Sequence, residues 1–207
     1  GQYSKAVDMV SSLPSISAAD LNYAMSEGKQ AEIGLKQMAL DNRLEWTLAA
    51  YHIVKNRLLT PDPANPGVSL QVGQQSSRGI EASLRFKPTQ NWLIEANGSA
   101  LRAKYDDFYE NVSGVPVSRA GNHPSGTPQR LANLWVAWDF APGWKAIGNL
   151  AYNGGLYANT ANTIRLPSYT TVGLGLRWAL SRDTTLDLRA RNIFDKVYAY
   201  TAGGRGT

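Results

Sequence analysis

The chain has 207 residues, 43% of them hydrophobic, 10% aromatic and only 18% charged, a composition that excludes a disordered segment. It contains no cysteine, which removes disulfide scaffolds, thiolate metal sites and cysteine nucleophiles together. The net charge of +5 comes from 21 Lys and Arg that are dispersed, and no run of them resembles a nucleic-acid patch.

The chain opens on Gly1-Gln2-Tyr3-Ser4, without an initiator Met or signal peptide, and reads as a piece of a longer protein. Nothing in it approaches the roughly 18 consecutive apolar residues of a transmembrane helix. The dominant signal is instead a period of two. It is weak over residues 31–38, where Ile33 and Leu35 oppose Glu32 and Lys36. Over residues 44–54 both faces are mixed, which leaves the facing of that segment open. It is clear at residues 78–86, where Ile80, Ala82, Leu84 and Phe86 share one face with Arg78 and oppose Gly79, Glu81, Ser83 and Arg85. A helix, whose faces recur every 3.6 residues, does not produce this split. Trp92, Ile94, Ala96, Gly98 and Ala100 then oppose Glu95, Asn97 and Ser99. Leu134, Val136, Trp138 and Phe140 oppose Asn133 and Asp139, and Trp135 shares that polar face. Val172, Leu174, Leu176 and Trp178 oppose Gly173, Gly175 and Arg177, and Leu186, Leu188 and Ala190 oppose Asp187, Arg189 and Arg191.

The connections alternate as well. Tight turns fit residues 40–43, 88–91, 141–143 and 181–184, and long Pro/Gly/Asn-rich stretches fill 57–67, 106–129 and 156–168. Short turns on one side and long loops on the other are the order of an outer-membrane barrel. Segments of about ten to thirteen residues suit a tilted bilayer crossing, whereas strands of soluble proteins average about five or six. Trp46, Trp92, Trp138, Trp144 and Trp178 all fall near the short turns, where an interfacial girdle would hold them among headgroups. The expected fold is all-β: an antiparallel transmembrane β-barrel segment of about eight or nine strands, with periplasmic turns, extracellular loops and a charged lumen. Its net positive charge suits anionic small ligands or lipopolysaccharide at the membrane surface.

Several short strings carry a family resemblance. Ser76-Ser77-Arg78-Gly79-Ile80-Glu81-Ala82 resembles the RGIE strand of TonB-dependent outer-membrane receptors. Glu45-Trp46-Thr47-Leu48-Ala49-Ala50-Tyr51, with Lys55-Asn56, resembles an earlier barrel strand of that family. Gly121-Asn122-His123-Pro124 followed by Pro128-Gln129-Arg130-Leu131-Ala132-Asn133-Leu134-Trp135 resembles a later one. Leu166-Pro167-Ser168-Tyr169-Thr170 and Asn192-Ile193-Phe194-Asp195-Lys196-Val197-Tyr198 are similar to its penultimate region, written N-L-F-D-K-x-Y. The resemblance is greatest to ferric-siderophore receptors. It implies a 22-stranded barrel, a plug domain and a segment that binds the energy-transducing protein TonB. Residues 1–207 then read as a partial barrel domain, roughly the last third of a receptor, with the plug and the final strand absent. The implied function is import of a ferric siderophore across the bacterial outer membrane with TonB-delivered energy. The partners are that chelate, the TonB complex through the absent N-terminal part, and outer-membrane lipid and lipopolysaccharide. The alternatives are an adhesin or docking barrel and a soluble all-β carbohydrate-binding module. No enzyme activity, cofactor or metal site is expected, the iron chelate being cargo.

Candidate ligand-binding residues lie in the long loops, because binding groups concentrate in loops held by a rigid scaffold. Tyr105, Phe108 and Tyr109 interleave with acids, Arg119 and His123 follow in the same loop, and Tyr157, Arg165, Tyr198 and Tyr200 flank the later loops. Aromatic faces and Arg donors suit a flat-sided, anionic iron chelate. The competing reading of these Tyr residues is an outer aromatic girdle or loop-against-loop packing. Glu81 and Glu95 read as members of a lumenal salt-bridge ladder, and Gly173 and Gly175 as lumen-facing glycines at a crowded place.

Overall fold

The computed structural model describes residues 1–8, 26–62 and 69–199. Within them the chain forms thirteen strands: β1 Gln2–Asp8, β2 Ser26–Ala39, β3 Leu44–Pro61, β4 Ser69–Phe86, β5 Trp92–Asp107, β6 Tyr109–Val112, β7 Val115–Ser118, β8 Arg130–Ala141, β9 Trp144–Asn153, β10 Leu156–Tyr157, β11 Arg165–Leu166, β12 Tyr169–Ala179 and β13 Thr185–Ala190. Nine form one antiparallel sheet in the order β1-β2-β3-β4-β5-β8-β9-β12-β13, and β6-β7 and β10-β11 are separate small ladders. The large sheet is open, with β1 and β13 as its edges among the described residues.

Register turns the alternation of single strands into two continuous faces. Leu48, Ala82, Gly98, Ala132 and Tyr152 form one transverse row, and Trp46, Leu84, Ala96, Leu134, Leu150 and Val172 form the next. On the opposite face Met38, Glu45, Arg85, Glu95, Trp135, Asn149 and Gly173 make a polar row. The same pairing settles residues 44–54: Trp46, Leu48 and Ala50 join the apolar face, while Glu45, Thr47 and Ala49 join the polar one.

The apolar face has no core beneath it. Among the described residues only Tyr105 and Ala137 are buried hydrophobics, whereas Ile33, Leu174 and Leu188 are 69%, 54% and 69% exposed. A soluble sandwich would pack these side chains between two sheets; here they form an outer wall that acyl chains must cover. The polar face is internally satisfied. Lys36 pairs with Glu45 at 2.6 Å, Arg85 with Glu95 at 3.3 Å, Lys145 with Asp139 at 3.4 Å and Arg177 with Asp187 at 3.0 Å. Between these pairs the Thr47 and Ser83 hydroxyls share a 2.6 Å hydrogen bond, and Asn133 Nδ2 donates to Asn97 Oδ1 at 2.9 Å. Side chains crowd this face as expected. A Cβ at Gly79 would meet the Tyr51 hydroxyl at 2.7 Å, and one at Gly173 would strike the Asn149 side-chain amide.

At the tight-turn end four indoles and Phe140 form a continuous chain of ring contacts, two stacked and two tilted, rather than a scatter. Trp92 lies on Trp138 with centroids 5.1 Å apart, Trp138 on Phe140 at 5.5 Å, Phe140 on Trp144 at 6.3 Å, and Trp144 on Trp178 at 4.8 Å. Trp46 stands on the same face opposite Leu84. The turns are closed by residues at positive φ, Leu40 (54°), Asp41 (54°) and Asn42 (62°) in one and Gly143 (76°) in another.

Two expectations need correction. The sequence pattern predicts strands of about ten to thirteen residues, but β3 and β4 each run 18 residues and β5 runs 16. Main-chain pairing continues past the apolar band because ladder hydrogen bonds are indifferent to side-chain polarity. The stretch 106–129 is also not simply a loop, since it carries the β6–β7 hairpin.

Two tests follow from the faces. Leu174→Arg in the full-length protein is expected to cost about 2–4 kcal/mol, the penalty of a cation at mid-bilayer on an outer-membrane barrel, and Arg189→Leu far less. Denaturant unfolding in liposomes measures both, and the reverse ranking would invert the faces. Trp138→Ala removes two ring contacts and is expected to cost about 1–3 kcal/mol, at about 0.5–1.5 kcal/mol for each aromatic pair lost; the same unfolding curves check it.

Candidate ligand-capture loops and the wall beneath them

Opposite the indole chain, the long connections dock on one another. Thr60, at the end of β3, donates its hydroxyl to the Tyr109 carbonyl at 2.9 Å and accepts the Tyr109 N–H. Tyr105 is buried and stacks on Phe108 with centroids 4.5 Å apart. It lies past the apolar band, and burial pushes its phenol above the ordinary value, partly offset by hydrogen bonding to Ser125. The phenol therefore stays neutral. Arg119 closes the β6–β7 hairpin by holding Glu110 Oε2 with Nε and Nη2, each at 2.8 Å. Asn111 Oδ1 accepts from Gly114 N–H at 2.7 Å in the turn, where Ser113 and Gly114 have φ of 53° and 84°.

His123 is buried, with Nδ1 2.5 Å from the Ala103 carbonyl and Nε2 3.1 Å from the Thr127 carbonyl. Its ring meets Tyr157 edge-on at 6.3 Å. Its backbone is clasped by a residue the sequence did not flag. Asn162 Oδ1 accepts from His123 N–H at 2.7 Å, and Asn162 Nδ2 donates to the His123 carbonyl at 2.8 Å. Asn122 Nδ2 adds a bond to the Thr160 carbonyl at 2.9 Å. The second and third long connections are thereby one unit. The only sequence signal for Asn162 was its place in an Asn-rich, turn-forming stretch, which does not name a partner some forty residues away.

The nine anticipated binding residues fall into distinct places. Tyr105, Phe108, Tyr109, Arg119, His123 and Tyr157 gather in the β5–β8 region and its neighbour. Arg165 faces Tyr157 across the β10–β11 ladder, is exposed, and has no ion pair among the described residues. Tyr198 lies elsewhere, stacked on Tyr169 at 4.1 Å. Tyr200 falls outside the described residues. A recess of about 730 Å³ opens where these loops meet the upper ends of β3–β5, bordered by His52, Arg102, Lys104, His123, Tyr157 and Asn162. Among the described residues no group of three or more His, Asp or Glu is placed to hold a metal ion.

Residues 2–193 match the model of the TonB dependent receptor-like β-barrel family. The chain belongs to that family. Relatives of this receptor barrel include the metal-pseudopaline receptor of Pseudomonas aeruginosa, 30% identical over 177 residues, which cover 83% of this chain and 24% of the relative. The ferrichrome outer membrane transporter/phage receptor of Escherichia coli is 28% identical over 184 residues, 85% of this chain and 24% of that protein. The barrel also superposes on the siderophore receptor PiuA of Acinetobacter baumannii with a TM-score of 0.84 and 24% identity, over 96% of this chain and 30% of that one. The chain thus spans about a quarter of the length of the curated relatives it matches.

Asn162→Ala is expected to unlatch the loops of this TonB-dependent receptor barrel, leaving the His123 N–H unsatisfied at a cost of about 1–3 kcal/mol. Limited trypsin digestion of the intact receptor reads this as faster cleavage after Arg119. An unchanged digestion rate would show that the clasp does not restrain the loop.

Proposed function

We propose that this chain is a wall segment of an outer-membrane receptor that binds a ferric siderophore and imports it with energy delivered by TonB. It acts as a component of a transporter and not as an enzyme, and the iron chelate is cargo rather than a resident cofactor. The observation that carries this reading is the docked pair of long loops at the end of a two-faced wall, opposite its indole chain. Family membership supports it, as do relatives named as receptors for metal-pseudopaline and ferrichrome.

The capture surface divides by role. Tyr109, Phe108, Tyr157 and Arg165 supply aromatic faces and one exposed guanidinium toward the chelate. Tyr105, Arg119 and His123, whose burial or hydrogen bonds tie them into the loops, position that surface. TonB engages the receptor outside this chain, and the apolar face is solvated by outer-membrane lipid and lipopolysaccharide.

A second reading, use of the same loops for docking by foreign particles, is favoured by the Escherichia coli relative's name, which couples transport with a phage receptor. A solved structural neighbour is likewise a receptor in complex with pyocin S2.

The triple substitution Tyr109→Ala, Tyr157→Ala, Arg165→Ala in the full-length receptor is expected to weaken ferric-siderophore binding about a hundredfold, the loss of two stacking contacts and one charge-assisted bond. Radioiron uptake and binding by whole cells measure it, with a heat-modifiable band as the folding check. Wild-type binding and uptake by a folded variant would rule out these loops as the capture surface.

A further inference from the structure

The pairing that satisfies the lumenal face stops short of one patch low on the wall. Trp135 on β8 stands opposite Asn149 on β9, Asn149 opposite Gly173 on β12, and Gly175 opposite Arg189 on β13. Trp135 is the one lumen-facing indole among the described residues, and within them it makes no ring contact or side-chain hydrogen bond. The Asn149 side-chain amide likewise has no hydrogen-bond partner among the described residues. The charges are unbalanced as well. Arg177 holds Asp187 at 3.0 Å, Arg189 reaches the same carboxylate oxygen only at 3.8 Å, and Arg191 has no ion pair among the described residues. Three guanidiniums therefore share one carboxylate, whereas Lys36, Arg85 and Lys145 each have a carboxylate of their own.

A bare stretch of β12 leaves room between these groups. A recess of about 260 Å³ has Trp135, Ile147 and Asn149 on one side, Arg189 and Arg191 on the other, and Gly175 between them. A Cβ at Gly175 would make only ordinary contacts, 3.4 Å from Ile147 Cβ and 3.7 Å from Arg189 Cγ. Crowding does not demand this glycine; the missing side chain keeps the floor clear. Three strand spacings separate Trp135 from Arg189, about 14 Å at about 4.8 Å each, a gap that two long side chains can close around one ring. Ligand pockets usually enclose about 300–1,000 Å³, so this recess takes one flat arm of a ligand and not a whole chelate. Its height sets it apart from the capture loops. Trp135 lies three residues above Trp138, about 10 Å into the lumen from the indole chain, and five below Arg130, about 17 Å beneath the loop end of β8.

We propose that Trp135, Asn149, Arg189 and Arg191 form a transit site for a planar, anionic aromatic arm of the imported chelate on its way to the periplasm. The indole supplies a face for the ring. The guanidinium forks take its oxyanions in charge-assisted hydrogen bonds, and the Asn149 amide donates beside them. A site on a path must bind well enough to accept cargo and weakly enough to release it. Arginines open to water on one wall, without a closed cage, suit that requirement. The inference rests on the proposed import of a chelate through this barrel.

The test uses the full-length receptor in detergent, titrated with benzoate, with benzamide, which has the same shape and no charge, or with acetate, which has the charge and no ring. Ligand-observed NMR reads the affinities. Wild-type receptor is expected to bind benzoate about tenfold more tightly than either other probe. Arg189→Gln with Arg191→Gln should lose that preference. Gly175→Val, which fills the recess and keeps every charge, should lose it too. The capture-loop variant Tyr109→Ala, Tyr157→Ala, Arg165→Ala should keep it, which separates this site from the surface above. Failure of wild-type receptor to bind benzoate, or equal binding of benzamide or acetate, would overturn the proposal without any variant having to fold. In whole cells Arg189→Gln with Arg191→Gln is expected to keep surface binding of the ferric siderophore while radioiron uptake slows about tenfold. A wild-type uptake rate in that variant would overturn the transit role. Absence of radioiron uptake by the wild type would count instead against the import reading, with benzoate binding still deciding whether the site exists.

Discussion

The structure depends on one constraint: a backbone exposed to hydrocarbon must find every hydrogen-bond partner within the protein. No water is available there, and each unsatisfied N–H or C=O costs several kcal/mol. The antiparallel ladders of the large sheet meet that demand across β1 to β13 by pairing each strand with its neighbours in sequence or with the next long strand. Once the ladders are locked, the register is locked, and every side chain is assigned to lipid or lumen. A one-residue slip would exchange the faces, placing Glu81 and Arg85 in hydrocarbon. The hydrophobic pattern and the main-chain pairing therefore enforce each other.

The two faces solve opposite electrostatic problems. On the lumen side, charge is abundant and paired across strands, as in Arg85 with Glu95 and Arg177 with Asp187. These pairs are exposed to water and individually worth little. Their importance is that they make a hydrated wall without net repulsion. On the lipid side, charge is absent from the band and returns only at its rim, where guanidinium groups can reach the headgroup layer. The turn-end indoles serve the other boundary, placing ring bodies in hydrocarbon and N–H groups near water.

Above the bilayer the same ladders extend upward and become the footing of the loops. β3 and β4 keep pairing beyond the apolar band, through an irregular stretch between Lys55 and Thr60 in which Arg57 has a φ of 60°. Thr60 then braces the β6–β7 hairpin, and Asn162 clasps the strand-return segment at His123. The loops are consequently supported surfaces. That is the condition for presenting aromatic faces and a guanidinium at fixed spacing to a rigid chelate.

By itself the sequence determined the all-β class, the alternation of tight turns with long connections, the lumenal side of Glu81, Arg85, Glu95 and Asp187, and the gathering of indoles at one end. These are period-two and local-turn properties, and they survive translation from one strand to the next. It did not determine the facing of residues 44–54, where Glu45, Thr47 and Tyr51 alternate with Trp46, Leu48 and His52 too unevenly to be read in isolation. Nor did it disclose the Asn162 clasp, the alignment of Trp92 with Trp138, or the meeting of Arg78 with Arg102. Each of those is a relation between residues tens of positions apart, and only the register of paired strands sets such relations. Tertiary structure alone decided them because hydrogen-bond pairing, not side-chain pattern, dictates which residue stands beside which.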